Sequence, residues 1–416
     1  MMIEFEYWWL LVLPLFFTLG WIAARVDIRQ LLSESTTLPA AYFKGLNFLI
    51  SDQHDKAVEA FSEAVEANTD SLELHFALGS LFRRTGETDR AINLHVNLLD
   101  KKELTEPQKN AVKAELAQDY LKAGLFDRAE ELYKDLEDQR YRQPALRALL
   151  EIYVREREWA QAITTATELE RLSGVPFRKE IAQYYCEIAM NFIIAQNPDA
   201  AQKQLALALD ANKKCIRANV LLGDIAASAQ QHQIAISYWK RIEFQQPEYL
   251  GLIASKMLKS YRALDINITG DAENTGITNN GSHLKEGLAQ LNTYIEVYKL
   301  PSLMSVLYEA TLAEEGADKA AKLARNELIR QPSLTTLDQL LQARAMADDI
   351  NNQDVQLMQQ TVRNAIGNRA AYHCNQCGFR AKQYHWQCPA CNAWESLPAE
   401  PSETVQREMT VKKTNP

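Results

Sequence analysis

Four cysteines near the C-terminus, Cys374, Cys377, Cys388 and Cys391, form two C-x2-C pairs separated by ten residues. Each pair can place two thiolates at the tip of a tight knuckle, and two facing knuckles supply the tetrahedral four-sulfur set that zinc or iron accepts. Four protein ligands leave no open position for water, so this chemistry folds a small module and does not hydrolyse a substrate. Two independent redox dithiols, the competing reading, do not account for the tandem spacing. Gly378 and Asn392 follow the two knuckles, and both tolerate the left-handed backbone that turns amides toward thiolates. Tyr372, Phe379, Trp386 and Trp394 surround the ligands in sequence and are expected to form their apolar shell. The metal must supply the remaining stability of so small a unit. His373 and His385 are read as solvent-facing or as neighbours of the ligands, because four thiolates complete the set. The module is placed at residues 371–397, holding one metal ion, zinc in preference to iron.

The remaining cysteines, Cys186 and Cys215, lie in apolar helical patterns and are expected to be buried structural thiols. Six cysteines in 416 residues do not make a disulfide framework, which points to a reducing compartment. A net charge of -9 gives no electrostatic footprint for nucleic acid, and Arg380 and Lys382 alone do not change that. The chain has no Walker-A sequence, no H-E-x-x-H and no glycine-rich dinucleotide fingerprint. His54, His75, His95, His232 and His283 are scattered over helical segments, where satisfied core or groove histidines are expected, and no carboxylate pair stands out. No catalytic residue is assigned, and the chain is read as a non-enzyme.

At the other end, Tyr7 to Ala24 is an uncharged run of eighteen residues, with Trp8, Trp9 and Trp21 near its edges and Pro14 inside it. At about 1.5 Å per residue such a helix just crosses a bilayer core, and the tryptophans suit its two interfaces. A cleaved signal peptide would need a positive start, but Glu4 and Glu6 stand there. Residues 1–25 are therefore read as a single membrane anchor. Arg25 and Arg29 follow the span and no Lys or Arg precedes it, so the positive-inside rule puts the N-terminus in the periplasm and the long C-terminal part in the cytoplasm.

Between these ends the chain repeats. Gly45 recurs as Gly79 and Ala57 as Ala91, both 34 residues on, the tetratricopeptide period. The motif Ala57, Phe61, Ala64 returns as Ala91, His95, Leu98, then as Ala129, Tyr133, Leu136 and as Ala162, Ala166, Leu169. Two further copies are Ala201, Leu205, Ala208 and Ala235, Trp239, Ile242. Phe48, Phe82, Tyr120, Tyr153 and Phe192 each precede a motif alanine by nine residues. Small residues let paired helices approach and large ones fill the space beside them, which predicts an all-α superhelix of helix pairs over 38–365. Gly86 to Asp89, Gly124 to Asp127 and Asn197 to Asp199 supply turns, with glycine closing one helix and aspartate expected to N-cap the next. Helix is expected over Leu252 to Leu264, followed by an Asn/Gly-rich exposed insertion at 265–282, either a tolerated insertion or an interaction loop. Helical patterning resumes over His283 to Ala345 and Asp354 to Ala365, and 398–416 has the composition of a disordered tail.

In this order, a short N-terminal span, tetratricopeptide repeats and a terminal rubredoxin-like ribbon resemble the lipopolysaccharide assembly protein B family. The resemblance is carried by His373-Cys374-Asn375-Gln376-Cys377-Gly378-Phe379 and Cys388-Pro389-Ala390-Cys391, by Ile22-Ala23-Ala24-Arg25 with Asp27, and by the first repeat from Tyr42 to Ala64. It covers nearly the whole chain, and the Asn/Gly insertion and the tail after Leu397 are its departures. The resemblance implies a non-catalytic inner-membrane adaptor that regulates lipopolysaccharide synthesis. Its implied partners are the membrane-bound ATP-dependent protease FtsH, the deacetylase that commits precursor to lipid A and is degraded by that protease, and a membrane-embedded lipopolysaccharide-sensing protein. Lipopolysaccharide and a second copy of the chain are further candidate partners; nucleic acid is not. The resemblance also implies that the four cysteines are metal ligands, position by position, and carries over no groove residue.

Other classes compete. An electron-transfer rubredoxin would set iron on the same thiolates but needs no scaffold of this size. A nucleic-acid-binding zinc ribbon lacks basic charge, and a membrane-anchored assembly scaffold unrelated to lipopolysaccharide fits the same architecture. A docked and a free metal module, and a monomer and a homodimer, are alike compatible with these residues.

Overall fold

The computed structural model describes residues 40–67, 71–136, 138–272, 282–298, 300–347, 353–367 and 370–398, together with 17, 18 and 21. Most of the expected span Tyr7–Ala24 and all of the tail beyond Pro398 lie outside the described residues. Among the described residues no helix is long and apolar enough to cross a membrane. The chain divides into two compact units, Met1–Glu156 and Arg157–Pro416.

The first unit holds α1 (Ala40–Ile50), α2 (His54–Ala67), α3 (Leu72–Thr85), α4 (Thr88–Leu99), α5 (Glu106–Ala123), α6 (Phe126–Lys134) and α7 (Gln139–Glu156). The second holds α8 (Trp159–Ser173), α9 (Arg178–Ile194), α10 (Pro198–Ala211), α11 (Ile216–Ser228) and α12 (His232–Gln245). After a 3-10 turn at Pro247–Tyr249 come α13 (Leu250–Ala272), α14 (Ser282–Tyr298), α15 (Pro301–Glu315), α16 (Ala317–Arg330), α17 (Leu334–Ala347) and α18 (Gln353–Gly367). Two-residue strands β1 (Tyr372–His373) and β2 (Arg380–Ala381) pair antiparallel, Tyr372 opposite Ala381.

The repeat motif marks the core. Every residue of its six copies, from Ala57 to Ile242, is no more than 4 % exposed. The close approach of paired helices is set sixteen residues apart, where a small residue on the first helix faces a large one on the second. Gly45 faces Phe61, Gly79 faces His95 and Gly223 faces Trp239; a Cβ on these glycines would come within 2.8, 2.3 and 2.2 Å of the facing ring. Alanine at Gly223 gains about 1 kcal/mol of helix propensity. Forcing the fully packed Trp239 aside costs about 1–3 kcal/mol or more. The overpacking wins, and Gly223→Ala is expected to cost up to about 2 kcal/mol of net stability, seen as a lower urea midpoint. An unchanged or raised midpoint would mean that the indole moves freely.

Gly86 (φ 87°) and Gly124 (φ 78°) close their helices in the left-handed conformation, as the turn chemistry predicts. The aspartates behave differently. N-cap positions belong to Glu87, Leu125 and Asn197, and Asp89, Asp127 and Asp199 lie inside the first turn, favoured there by the helix dipole. Of these three caps only Asn197 uses its side chain to bond a first-turn amide, accepting from Ala200 N at 3.2 Å.

His95, at the aromatic position of the second motif, is fully buried. Its Nδ1 lies 2.5 Å from Asp119 Oδ2, and the other Asp119 oxygen accepts from Arg83 Nη1 at 2.6 Å. Arg83 also donates to Glu115 Oε2 at 2.5 Å. A polar group at a core position thus draws a carboxylate and a guanidinium into the stack of α3, α4 and α5, since buried charge must be paired.

In the second unit the expected insertion begins later than its composition suggests. Helix α13 runs to Ala272, beyond Asp265. The Asp265 carboxylate accepts from the backbone N–H of His283 (3.1 Å) and Leu284 (2.8 Å), so it caps α14 and does not end its own helix. Residues 273–281 of the insertion lie outside the described residues.

Candidate metal centre

The two knuckles are built alike. Cys374 N donates to Phe379 O (2.7 Å) and Gly378 N to Cys374 O (3.0 Å); Cys388 N donates to Ala393 O (2.9 Å) and Asn392 N to Cys388 O (2.9 Å). Both turns pass through the left-handed region, at Gly378 (φ 81°) and Asn392 (φ 59°), where the sequence placed residues that tolerate it.

The knuckles face each other. Cys374 and Cys391 sulfurs are 3.7 Å apart, as are those of Cys377 and Cys388, and all four lie within 4.8 Å of one another. A tetrahedron with metal–sulfur bonds of about 2.3 Å has edges of about 3.8 Å, whereas a disulfide needs about 2.05 Å. The four sulfurs therefore fit one metal ion, and His373 and His385 stand outside the set. Protonation across the set is uneven. Burial opposes charge on Cys374, but hydrogen bonding with Ser396 and the Cys377 and Gln376 amides pulls its pKa down to about 6. At Cys391 the Ala393 amide favours the thiolate, yet desolvation and the three other sulfurs push it up to about 12. A bound metal would take the sulfurs as thiolates and displace their protons.

The expected apolar shell is half right. Tyr372 and Phe379 pack with Cys374 and Cys388, joined by Ala381, Tyr384 and Leu397. Trp386 and Trp394 instead turn to the repeats, because the Arg217 guanidinium lies 5.7 Å from the Trp386 ring centre and 5.8 Å from that of Trp394. Arg217 is itself held by Glu187 at 2.7 Å. Trp394 meets Tyr184 edge-on at 6.4 Å, and Tyr384 meets Tyr249 at 6.1 Å. The module is docked on α9, α11 and the turn before α13.

A carboxylate completes the joint. Glu395 is 6 % exposed; its Oε1 accepts from Gln183 Nε2 (2.8 Å) and from the Ile216 (3.2 Å) and Arg217 (3.4 Å) amides. Burial pushes the Glu395 carboxyl above its ordinary range, opposed by the Arg217 amide, the Lys179 charge, Gln183 and the Ile216 amide. Tyr249 Oη donates to the Glu395 carbonyl at 2.9 Å. Pro398, expected to begin the tail, belongs to the module, accepting from His373 N at 3.3 Å. Cys186 and Cys215 are buried free thiols, as expected, 3.8 Å apart beneath this joint. Glu395, Arg217, Tyr384 and Ser396 escape sequence reasoning; the available signal was a surplus of aromatic residues beyond what four ligands need.

Fold and site together define a tetratricopeptide-repeat protein carrying a rubredoxin-type four-cysteine metal module. Residues 44–101 match the tetratricopeptide repeat family and residues 372–399 the rubredoxin metal binding domain. The chain is 30% identical over 403 residues to lipopolysaccharide assembly protein B of Haemophilus influenzae, and 29% identical over 391 residues to the protein of that name in Escherichia coli K12. Each match covers 93% of this chain and 96% of the relative. The chain belongs to the lipopolysaccharide assembly protein B family. Among solved structures, the C-terminal part of a repeat protein from Cytophaga hutchinsonii is 13% identical, with 68% of this chain and 98% of that one covered and a TM-score of 0.35.

Proposed function

We propose that this chain is a non-catalytic, membrane-anchored adaptor in lipopolysaccharide assembly, presenting the lipid A pathway deacetylase to the membrane protease FtsH. The observation that carries this reading is the metal module packed onto the repeats through Glu395, Arg217 and two tryptophans. Four sulfurs close the coordination shell, so the metal, read as zinc, builds a surface and offers no position for a substrate. Family membership over 93% of the chain supplies the pathway.

The physical logic is confinement. A span at Tyr7–Ala24 would hold the repeats against the cytoplasmic face of the inner membrane, in the plane where the protease lies, and effective concentration would replace high affinity. A membrane-embedded partner reporting lipopolysaccharide supply, lipopolysaccharide itself, or a second copy of the chain would act on the same platform. Depleting the chain from its host and measuring lipopolysaccharide relative to phospholipid tests the pathway: the ratio is expected to rise severalfold. An unchanged ratio would favour an assembly scaffold unrelated to lipopolysaccharide.

A further inference from the structure

The amides of Ile216 and Arg217 occupy the first two positions of α11, whose N-cap Cys215 offers no side-chain cap. First-turn amides have no partner within their own helix. Both donate instead to the Glu395 carboxylate, as does the buried Gln183 amide. These three donors belong to the repeats and their acceptor belongs to the metal module.

Glu395 keeps that place by virtue of the knuckles. It follows Cys391 by four residues and sits in the left-handed region at φ 47°, unusual for a side chain of its size. Its own amide donates to Trp386 O at 2.8 Å, and Gln387 bridges Trp394 beside it. On its other side Ser396 O accepts from Asn375 N at 2.9 Å, while the Ser396 hydroxyl lies 3.3 Å from the Cys374 sulfur. Residues 394–396 are thus a strap stretched between both knuckles. The buried core of the knuckles is small, Cys374, Ala381, Cys388 and Leu397, with two ligands among its four members. Without a metal to close the sulfur set, the two knuckles that fix the strap from either side are no longer tied to one another, and its contacts with the repeats must hold it alone.

We propose that Glu395 is a positioning residue that couples metal occupancy of the four-cysteine site to the order of the repeat helices: with metal bound, its carboxylate caps α11 and satisfies Gln183; with metal lost, it withdraws and the start of α11 loosens. Repeat order near Gln183 and Arg217 then reads the state of a metal held by residues 374–391. The coupling is reciprocal, so the cap must also tighten metal binding by the factor with which the metal tightens the cap.

Residue-resolved amide hydrogen exchange on the full chain in detergent, under reducing conditions, tests this with zinc bound and after chelation. The Ile216 and Arg217 amides both donate to Glu395, so chelation is expected to lower their protection about ten- to a hundredfold, the equilibrium factor of a charge-assisted hydrogen bond. Amides of α16, far along the chain, serve as the control and are expected to be unchanged. Glu395→Gln, close in shape and without charge, is expected to keep one zinc per chain, to lose part of that protection with zinc bound, and to yield zinc more readily to a competing chelator. Glu395→Ala is expected to do the same to a greater degree. Protection at Ile216 and Arg217 that survives chelation, or a zinc affinity in Glu395→Gln equal to that of the unaltered chain, would overturn the proposal.

Discussion

Serine at both Cys374 and Cys377 is expected to leave the chain without bound metal and its C-terminal module unfolded. Removing two of four thiolates opens the sulfur set, whose 3.7 Å edges otherwise fit one ion. Structural zinc contributes an apparent binding free energy of about 10–16 kcal/mol, far more than the few side chains packed around the cysteines can replace. Elemental analysis should find no zinc or iron in the double variant. Trp386 and Trp394 should lose their contact with Arg217, seen as a red shift of tryptophan emission. Full metal occupancy in that variant would contradict the four-sulfur assignment.

Asp119→Ala should be the most damaging single substitution in the first unit. It strips the fully buried His95 of its carboxylate partner and leaves Arg83 with Glu115 alone. Breaking a buried charge network by removing one member costs about 3–5 kcal/mol, and the surviving Glu115 contact places the expected loss at the lower end. Urea unfolding followed by helical circular dichroism measures it. A loss below about 1 kcal/mol, the size of an exposed ion pair, would show that water replaces the carboxylate. Asp119→Asn, which keeps the shape, should fall between the two.

Local spacing made much of this molecule legible. The 34-residue period and the motif from Ala57 to Ile242 marked the core because packing distance between paired helices depends on residue size at fixed offsets. The cysteine pairs and their left-handed followers Gly378 and Asn392 were legible because a knuckle is closed by neighbours in sequence. What stayed hidden depends on partners far along the chain. Trp386 and Trp394 looked like a shell for the cysteines, and only the approach of Arg217, well over a hundred residues earlier, turns them outward. Glu395 resembled any surface carboxylate until the bare amides of α11 gave it a role. Asp265 looked like the start of a loop because its composition is that of one, yet it caps α14 while its own helix continues. Aspartates expected at N-caps lie two residues inside, since both positions favour a carboxylate and composition alone does not separate them.

The adaptor reading is tested most directly by the half-life of the lipid A pathway deacetylase, followed by pulse-chase in host cells with the chain present and after its depletion. The reading predicts rapid turnover with the chain present, a half-life extended severalfold on depletion, and the same extension when FtsH is inactivated with the chain still in place. A deacetylase half-life that does not change on depletion would contradict it.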